Sequence, residues 1–374
     1  MTSLQRMKAA IAGQPFDRYP FINPYPDFSL MPYWPEMLGL TWLHVQFGSD
    51  AQRLACFRAM HEQVGLDWLM AGCGPCGQDS RYSIRVDDGV PVLIELASGT
   101  ETPFPEFWKD EPITEQRYRS VADVEAEPAP QTVEELLAGG NFDFTRLLAQ
   151  ELGDSVFLYG NVGGAFSNTY RALTFEGIYE AILDNPSLVH AIAQRATAGT
   201  IAWIKAFARC GMHAVRINEY PCGAELLSDA HFRTFVLPYL KQMVDAIHDA
   251  GMIAVQEYLG WVGPRLKHLA ALGIDCLETE SSMKNYRNDI GEIRSIIGEG
   301  VCLFSNSQIL QVIEQGSEEL WRADAAEQAR GIGKQRRFAI CAGSPTTWAT
   351  TPQRLKRYGE VVGQTLAKIV PPLG

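Results

Sequence analysis

The sequence predicts a single (β/α)8 TIM barrel that spans residues 1–374, with an N-terminal arm and a hairpin insertion around 80–131. Eight short apolar runs, bounded by turn-forming or polar residues, are typical of buried parallel strands. Amphipathic stretches separate these runs, and such alternation predicts a parallel sheet flanked by helices. The chain has 374 residues and a hydrophobic fraction of 46%, which suffices for one large core. A doubly wound parallel sheet is the alternative fold.

The predicted strands are distributed along the whole chain. They comprise residues 20–23, 68–71, 156–159, 214–217, 253–256, 276–278, 301–304 and 338–341. Active sites of such barrels lie at the carboxyl ends of the strands. The residues that end or follow each run are therefore the candidates for chemistry.

The stretch 230–250 shows how the segments between strands predict helices. Its apolar residues recur at steps of three and four, which places them on one helical face. They are Phe232, Phe235, Val236, Leu240, Met243, Val244 and Ile247. Ser228 or Asp229 can cap the start of this helix, and Gly251 can end it. Pro238 inside the stretch predicts a kink.

The segment 80–131 departs from the alternation of strands and helices. Within 80–95, Asp88-Gly89 separates two alternating runs, which predicts an antiparallel hairpin. The residues that follow are rich in Pro and Glu. We expect an insertion folded over the barrel rather than a second domain.

The charge of the chain limits its partners. It carries 44 acidic and 32 basic residues, a formal net charge of −12. Such a surface repels phosphate backbones and anionic membranes, so neither is an expected partner. No apolar run approaches the roughly 20 residues that span a bilayer. Residues 1–8 lack the apolar core of a signal peptide, and we expect a cytoplasmic protein.

The tetrapeptide Cys73-Gly74-Pro75-Cys76 matches the redox motif of thioredoxins. In that motif a helix follows the first Cys and lowers the pKa of its thiol. Here an extended run follows instead, which favours a glycine-rich turn at the barrel mouth. Its thiols could face the substrate or a metal, and a dithiol redox centre is the alternative.

Three predicted strands end in carboxylates, at Glu219, Glu257 and Glu278. Carboxylates crowded around one pocket repel each other, so one takes a proton or all share a cation. A protonated carboxyl group can act as a general acid, and a carboxylate cluster can hold Zn²⁺. The alternative role is structural, for example an ion pair between Glu278 and Arg216.

Several segments resemble the uroporphyrinogen decarboxylase superfamily, which includes corrinoid-dependent methyltransferases. They are residues 6–20 (RMKAAIAGQPFDRYP), 226–232 (LLSDAHF), 238–241 (PYLK), 269–275 (LAALGID), 342–345 (AGSP) and 351–352 (TP). The resemblance covers nearly the whole chain. It implies a single (β/α)8 barrel, in agreement with the strand count.

The charge distribution opposes the decarboxylase branch of this superfamily. True uroporphyrinogen decarboxylases share an arginine-rich RQAGR segment near the N-terminus. Its cations suit a substrate with eight carboxylates. Residues 19–52 of this chain contain no Lys or Arg. The resemblance therefore favours the methyltransferase branch.

The methyltransferase branch is also known by zinc ligands, His-x-Cys-Gly after one strand and a Cys in a late Gly-Cys. Alignment with that pattern puts Glu257 at the His position, Leu259 at the first Cys and Ser344 near the late Cys. Leu259 cannot bind zinc, so thiol activation in the usual form is not expected. A rebuilt zinc site could use Glu257, Cys341 and Cys222, with Glu219 as an alternative to Cys222.

Methyltransferases of this superfamily catalyse either the methylation of a thiol or the step that precedes it, in which a corrinoid protein takes up the methyl group. The resemblance then implies the preceding step: methyl transfer from a small methoxy or methylamine compound to a corrinoid protein. Methyl ethers have poor leaving groups, so catalysis needs a Lewis acid or a general acid at the ether oxygen. We expect Glu257 in that role, with Glu219 and Asn218 beside it. The expected substrate-binding residues are Tyr159, Asn161, Tyr258, Glu278, Ser305 and Asn306.

Two other functions are open. One is a cofactor-independent decarboxylase that acts on a smaller, less anionic substrate, which would turn over without a corrinoid. The other is a binding barrel that has lost catalysis with its ligand set. A homodimer is compatible with all three functions.

Overall fold

The computed structural model describes residues 1–107, 112–282, 285–343 and 346–372. The strands in these ranges are β1 (Phe21–Ile22), β2 (Trp68–Met70), β3 (Tyr82–Asp87), β4 (Val90–Glu95), β5 (Thr100–Pro103), β6 (Phe157–Gly163), β7 (Ala214–Glu219), β8 (Ile253–Tyr258), β9 (Cys276–Thr279), β10 (Cys302–Phe304) and β11 (Phe338–Cys341).

The α-helices alternate with most of these strands. They are α1 (Ser3–Ala12), α2 (Pro26–Ser29), α3 (Trp34–Leu38), α4 (His44–Phe47), α5 (Asp50–Glu62), α6 (Val121–Glu125), α7 (Val133–Ala138), α8 (Asp143–Leu152), α9 (Ala165–Leu173), α10 (Phe175–Asp184), α11 (Pro186–Arg209), α12 (Asp229–Phe235), α13 (Leu237–Asp249), α14 (Leu266–Leu272), α15 (Ile290–Ile297), α16 (Glu318–Ile332) and α17 (Pro352–Ile369). None of the helices described is long and apolar enough to cross a membrane.

Eight parallel strands form a nearly closed barrel, in the order β1, β11, β10, β9, β8, β7, β6, β2. The two edge strands meet just below β2, where the Asp67 N–H donates to the Phe21 carbonyl at 2.7 Å. The Asp67 carboxylate in turn accepts the Phe21 N–H at 2.8 Å. Each predicted run overlaps one of these eight strands, so the (β/α)8 prediction is confirmed.

The stretch 230–250 forms two helices, α12 and α13, instead of one kinked helix. The Ser228 side chain caps α12 by accepting the His231 N–H, as the sequence predicts. Val236 leaves the helical ladder between the two helices, with φ −115° and ψ −58°. Pro238 follows in the first turn of α13, where its missing N–H costs nothing. The break therefore falls two residues before the proline.

The predicted hairpin is confirmed as β3 and β4, which pair antiparallel with Asp87 opposite Val90. Asp88 has φ 48° and Gly89 has φ 83°, and a two-residue hairpin turn with both φ values positive matches the right-handed twist of the strands. Strand β5 pairs with β4 to complete a separate three-stranded sheet.

Apolar side chains fill the lumen of the barrel from its amino-terminal end. Met7 and Ile11 of the N-terminal helix α1 pack there against a layer of inward-facing residues. These include Phe157, Val255 and Cys276. The polar lumen residues lie further along the strands, toward the carboxyl ends.

Candidate active site

Alternation along the strands selects which side chains reach the lumen. Ala214 on β7 and Val255 on β8 belong to the inner apolar layer. Residues two positions further along the same strands share that face, because side chains of a strand alternate. Arg216 and Glu257 therefore point into the lumen, and they meet there in an ion pair.

The Arg216 guanidinium is the centre of this polar cluster. Its Nη2 lies 2.5 Å from Glu257 Oε1, and its Nε lies 2.8 Å from Glu278 Oε2. Nη1 donates to Asn161 Oδ1 at 3.0 Å. The Arg216 and Glu257 side chains are fully buried, and Glu278 is 2% exposed. Glu278 thus forms the ion pair with Arg216 that the sequence offered as its alternative, structural role.

The charges of the cluster do not balance when both carboxyl groups are ionised. Burial opposes the charge of Arg216, but Glu257 and Glu278 outweigh that effect and hold the pKa of the guanidinium well above its ordinary value. One guanidinium beside two carboxylates leaves a formal charge of minus one. An additional proton, shared within the cluster, would make it neutral.

Tyr25 covers the cluster from the loop after β1. Its hydroxyl donates to Glu257 Oε1 at 3.1 Å and accepts from Asn218 Nδ2 at 3.1 Å. The Arg216 guanidinium lies 4.8 Å from the centroid of the Tyr25 ring. Burial raises the pKa of Tyr25 to about 12, so the phenol keeps its proton at neutral pH. Tyr25 is half-buried, whereas the Glu257 side chain that its hydroxyl contacts is fully buried.

Glu219 lies outside this cluster, although the sequence placed it beside Glu257. It is one residue beyond Asn218 and faces outward, where its Oε1 accepts the Ser167 N–H at 2.9 Å. Burial raises the pKa of Glu219 to about 8, and its buried Oε2 has no hydrogen-bond partner in the described structure. A Cβ at Gly164 would stand 1.8 Å from Oε2, so only glycine leaves room for this carboxyl group.

The other predicted site residues also form two groups. Tyr258 and Cys222 lie in the outer layer, where the Tyr258 hydroxyl donates to the Cys222 carbonyl at 2.9 Å. Ser305 and Asn306 stabilise neighbouring backbone: the Cys341 N–H donates to Ser305 Oγ at 2.7 Å, and Asn306 Nδ2 donates to the Asn288 carbonyl at 2.7 Å. In the described structure none of these four side chains hydrogen-bonds to Arg216, although Ser305 and Asn306 line a small cavity together with Glu278.

Tyr159 and Cys341 do face the lumen. Tyr159 stacks on Trp68 at a centroid distance of 4.2 Å, and its hydroxyl donates to the Pro24 carbonyl at 3.0 Å. It therefore supports the loop that carries Tyr25. Burial raises the pKa of the Cys341 thiol well above its ordinary value, which opposes the thiolate that a metal would need.

The residues proposed for a rebuilt zinc site are not brought together. Cys341 belongs to the inner layer and Cys222 to the outer layer, and Glu257 is paired with Arg216. Across the described ranges, no group of three or more His, Cys, Asp or Glu residues is arranged to hold a metal ion. Ser344 lies outside the described residues. The described residues therefore do not fit a zinc ion.

The Cys73–Cys76 turn lies at the barrel mouth, as predicted, and no α-helix follows it. A 3₁₀ turn at Gln78–Ser80 leads directly into β3. Arg53 shapes the turn by donating to the carbonyls of Pro75 at 2.8 Å and Cys73 at 3.3 Å. Burial raises the pKa of each thiol to about 11, the opposite of a thioredoxin-type thiolate.

A cavity of about 450 Å³ opens beside the polar cluster, between the ends of β2 and β6 and the α2 segment. Its walls include Asp27, Phe57, Met70, Cys73, Asn161 and Phe207. Asn161 connects the cavity to Arg216, because it contacts both. The cavity is mainly apolar with a few polar groups, which is typical of a small-molecule site.

Sequence reasoning missed the two central residues of the cluster. The sequence indicated Arg216 only as a partner for Glu278, and Tyr25, two residues after the first predicted run, was not singled out. A basic residue in an otherwise apolar strand run was the available signal for Arg216, since buried charges are paired. Asp27 gave no comparable signal.

The fold and the site together define a (β/α)8 barrel with its polar groups gathered at the carboxyl ends of the strands, the arrangement found in enzymes of this fold. The family model of uroporphyrinogen decarboxylase (URO-D) matches residues 92–364, and the chain belongs to this enzyme family.

Individual relatives agree with that assignment. The chain is 26% identical over 258 residues to uroporphyrinogen decarboxylase of Pseudomonas paraeruginosa, covering 67% of this chain and 70% of that protein. It is 27% identical over 242 residues to the chloroplastic uroporphyrinogen decarboxylase 2 of Arabidopsis thaliana, covering 60% and 57%. A methyltransferase from Methanosarcina mazei shares the fold, with a TM-score of 0.68, 16% identity and coverage of 97% and 99%.

Proposed function

We propose that this chain transfers a methyl group from a small methoxy or methylamine compound to a corrinoid carried by a partner protein. When bound, the corrinoid supplies the nucleophilic metal centre that accepts the methyl group. The chain itself binds the methylated compound at the carboxyl ends of the strands and provides a proton for the leaving group. The observation that supports this proposal most directly is the hydrogen bond from the Tyr25 hydroxyl to Glu257, a member of the buried Arg216 cluster.

This arrangement suits the cleavage of a methyl ether. As the bond between oxygen and methyl breaks, the oxygen keeps the electron pair and needs a proton. Glu257 is fully buried, so it does not contact a ligand directly. The step balances when Glu257 enters it protonated: Tyr25 gives its hydroxyl proton to the leaving oxygen and takes the proton of Glu257, which remains as a carboxylate beside Arg216 until solvent returns a proton. Asn218 and Arg216 hold the Tyr25 oxygen during this exchange.

The comparisons support the scaffold of this proposal. Family membership makes an enzymatic role the expected one, and the methyltransferase from Methanosarcina mazei has the same fold. The identity of 16% carries no further argument about the reaction.

A decarboxylase is the second candidate, because the Pseudomonas and Arabidopsis relatives bear that name. Loss of carbon dioxide leaves a carbanion, and its protonation could use the same Tyr25–Glu257 pair. The cavity opposes a substrate with many carboxylates, since Arg53, the one cation among the described residues that line it, is offset by Asp50 at 3.8 Å, and Asp27 adds a carboxyl group to the wall. A lyase would also act without any corrinoid.

The test of this site is the Glu257→Gln variant, assayed for demethylation with reduced cobalamin as methyl acceptor. We expect turnover to fall about 100-fold or more, because the proton supply of Tyr25 is removed. The fold should persist, since Arg216 keeps its ion pair with Glu278.

Two companion variants make the result specific. Tyr25→Phe should cause a comparable loss, whereas Glu151→Gln, the same chemical change on the protein surface, should leave turnover unchanged. Full turnover by the Glu257→Gln variant would show that Glu257 has no part in the reaction.

A further inference from the structure

The orientation of one amide group gives information about the ligand of the 450 Å³ cavity. Asn161 lines this cavity, and its Oδ1 accepts a hydrogen bond from Arg216 Nη1 at 3.0 Å. A guanidinium can only donate, so the oxygen of the amide must face Arg216. The amide nitrogen is therefore on the other side of the group.

The Asn161 amide nitrogen is an available donor. Within the described part of the chain, Nδ2 of Asn161 has no hydrogen-bond acceptor, and the side chain keeps some exposed surface beside the cavity. An amide N–H that faces a largely apolar space is stabilised when a ligand brings an acceptor. The ligand expected here carries an oxygen or nitrogen lone pair.

Asp27 faces the same cavity without a cationic partner among the residues described. Burial raises the pKa of its carboxyl group above the ordinary value, and the N–H groups of Phe28 and of Asp27 itself oppose that shift only in part. A protonated Asp27 would be a second donor. Arg53, the other charged residue that lines the cavity, has its charge offset by Asp50, whose Oδ1 lies 3.8 Å from the Arg53 Nη1.

The hydrogen-bond donors that face this cavity do not suit a methylated ammonium ion. The nitrogen of such a cation has no free lone pair, so it cannot accept a hydrogen bond from the Asn161 amide or from a protonated Asp27. The apolar walls of the cavity, which include Phe57, Met70 and Phe207, suit the hydrocarbon part of an uncharged molecule.

We propose that Asn161 and Asp27 form a subsite that binds the oxygen atom of an uncharged methylated compound, and so select methyl ethers over methylammonium cations. This inference rests on the proposed function for its meaning, because it names the substrate class of that reaction. Arg216 acts here as a positioning residue, since it fixes the direction of the Asn161 amide.

The test is a calorimetric titration of the purified protein with three probes of similar size. Anisole is the methyl ether, ethylbenzene replaces its oxygen by a methylene group, and phenyltrimethylammonium is the cation. We expect anisole to bind about tenfold more tightly than ethylbenzene, from the hydrogen bonds to its oxygen. Phenyltrimethylammonium should bind no more tightly than ethylbenzene.

Variants assign the preference to the two residues. Asn161→Asp keeps the shape and the contact with Arg216 but removes the donor, and Asn161→Ala removes the whole amide. In both, the preference for anisole should fall toward unity. Asp27→Leu should reduce it, whereas Asp27→Asn, which retains a donor, should keep it. Asp184→Asn, on the surface at the end of α10, is the matched control and should change nothing.

The outcomes separate this inference from the methyl-transfer proposal. Equal binding of anisole and ethylbenzene, or tighter binding of the cation, would overturn the subsite. The titration needs neither corrinoid nor turnover. Selective anisole binding without demethylation would therefore support the subsite and contradict methyl transfer.

Discussion

At the scale of single residues, one position along a strand decides which chemistry a side chain can join. Asn218 points into the lumen and bonds to Tyr25, while Glu219, the next residue, lies between β7 and α9. The sequence predicted both at the end of the same strand. It could not assign their faces, because an uncertainty of one residue in register exchanges the two sides of a strand.

The outward position of Glu219 has a consequence for stability. Its pKa is about 8 in the folded protein and ordinarily 4.5, so the folded state binds the proton more tightly than the unfolded state. The stabilisation that comes from this tighter proton binding is fully present below pH 4.5 and is lost as the pH rises toward 8. The loss amounts to about 1.4 kcal/mol per pH unit.

The Glu219→Gln variant tests this linkage, because a glutamine has no proton to lose. We expect the wild type to lose stability relative to the variant as the pH rises from 5 to 8. The free energy of unfolding of the variant minus that of the wild type should therefore increase over this range. Urea denaturation at both pH values measures the difference. A difference that does not change with pH would mean that Glu219 is ionised in the folded protein.

At the scale of elements, the sequence predicted most reliably where local chemistry is decisive. The hairpin followed from Asp88-Gly89, and the start of α12 followed from Ser228. The Tyr25 contact could not be predicted in this way. It joins residues 25 and 257, which are 232 positions apart in the chain, and only the closed barrel brings them together.

The hairpin itself offers a test of local stability. Gly89 has φ 83°, and no atom lies within 4 Å of a Cβ placed there, so an alanine would add backbone strain alone. We expect Gly89→Ala to destabilise the β3–β4 hairpin by about 1 kcal/mol. Limited proteolysis should then cut within residues 80–107 several-fold faster, with barrel unfolding unchanged.

The exposed substitution Thr102→Ala on β5 is the control for this experiment and should leave the cleavage rate unaltered. A fall in the stability of the whole barrel with the Gly89 variant would mean that the insertion and the barrel unfold as one unit.

At the scale of the whole molecule, most of the barrel matches the family model, whereas part of the barrel mouth lies outside the matched region. The matched family region begins at residue 92, after the segment that carries Tyr25, Asp27 and the Cys73–Cys76 turn. Residues 19–52, which form part of this mouth, contain no Lys or Arg. The scaffold thus belongs to the decarboxylase family, while residues 19–52 supply none of the cations that a polycarboxylate substrate needs.

The central claim is methyl transfer that depends on a corrinoid, and one assay tests it most directly. Wild-type protein is incubated with methyl ethers and methylamines labelled at the methyl carbon, with and without reduced cobalamin, and the demethylated product is measured. We predict product only when cobalamin is present, with the label transferred in equal amount. Product or carbon dioxide formed without cobalamin, or no product under any condition, would contradict the claim.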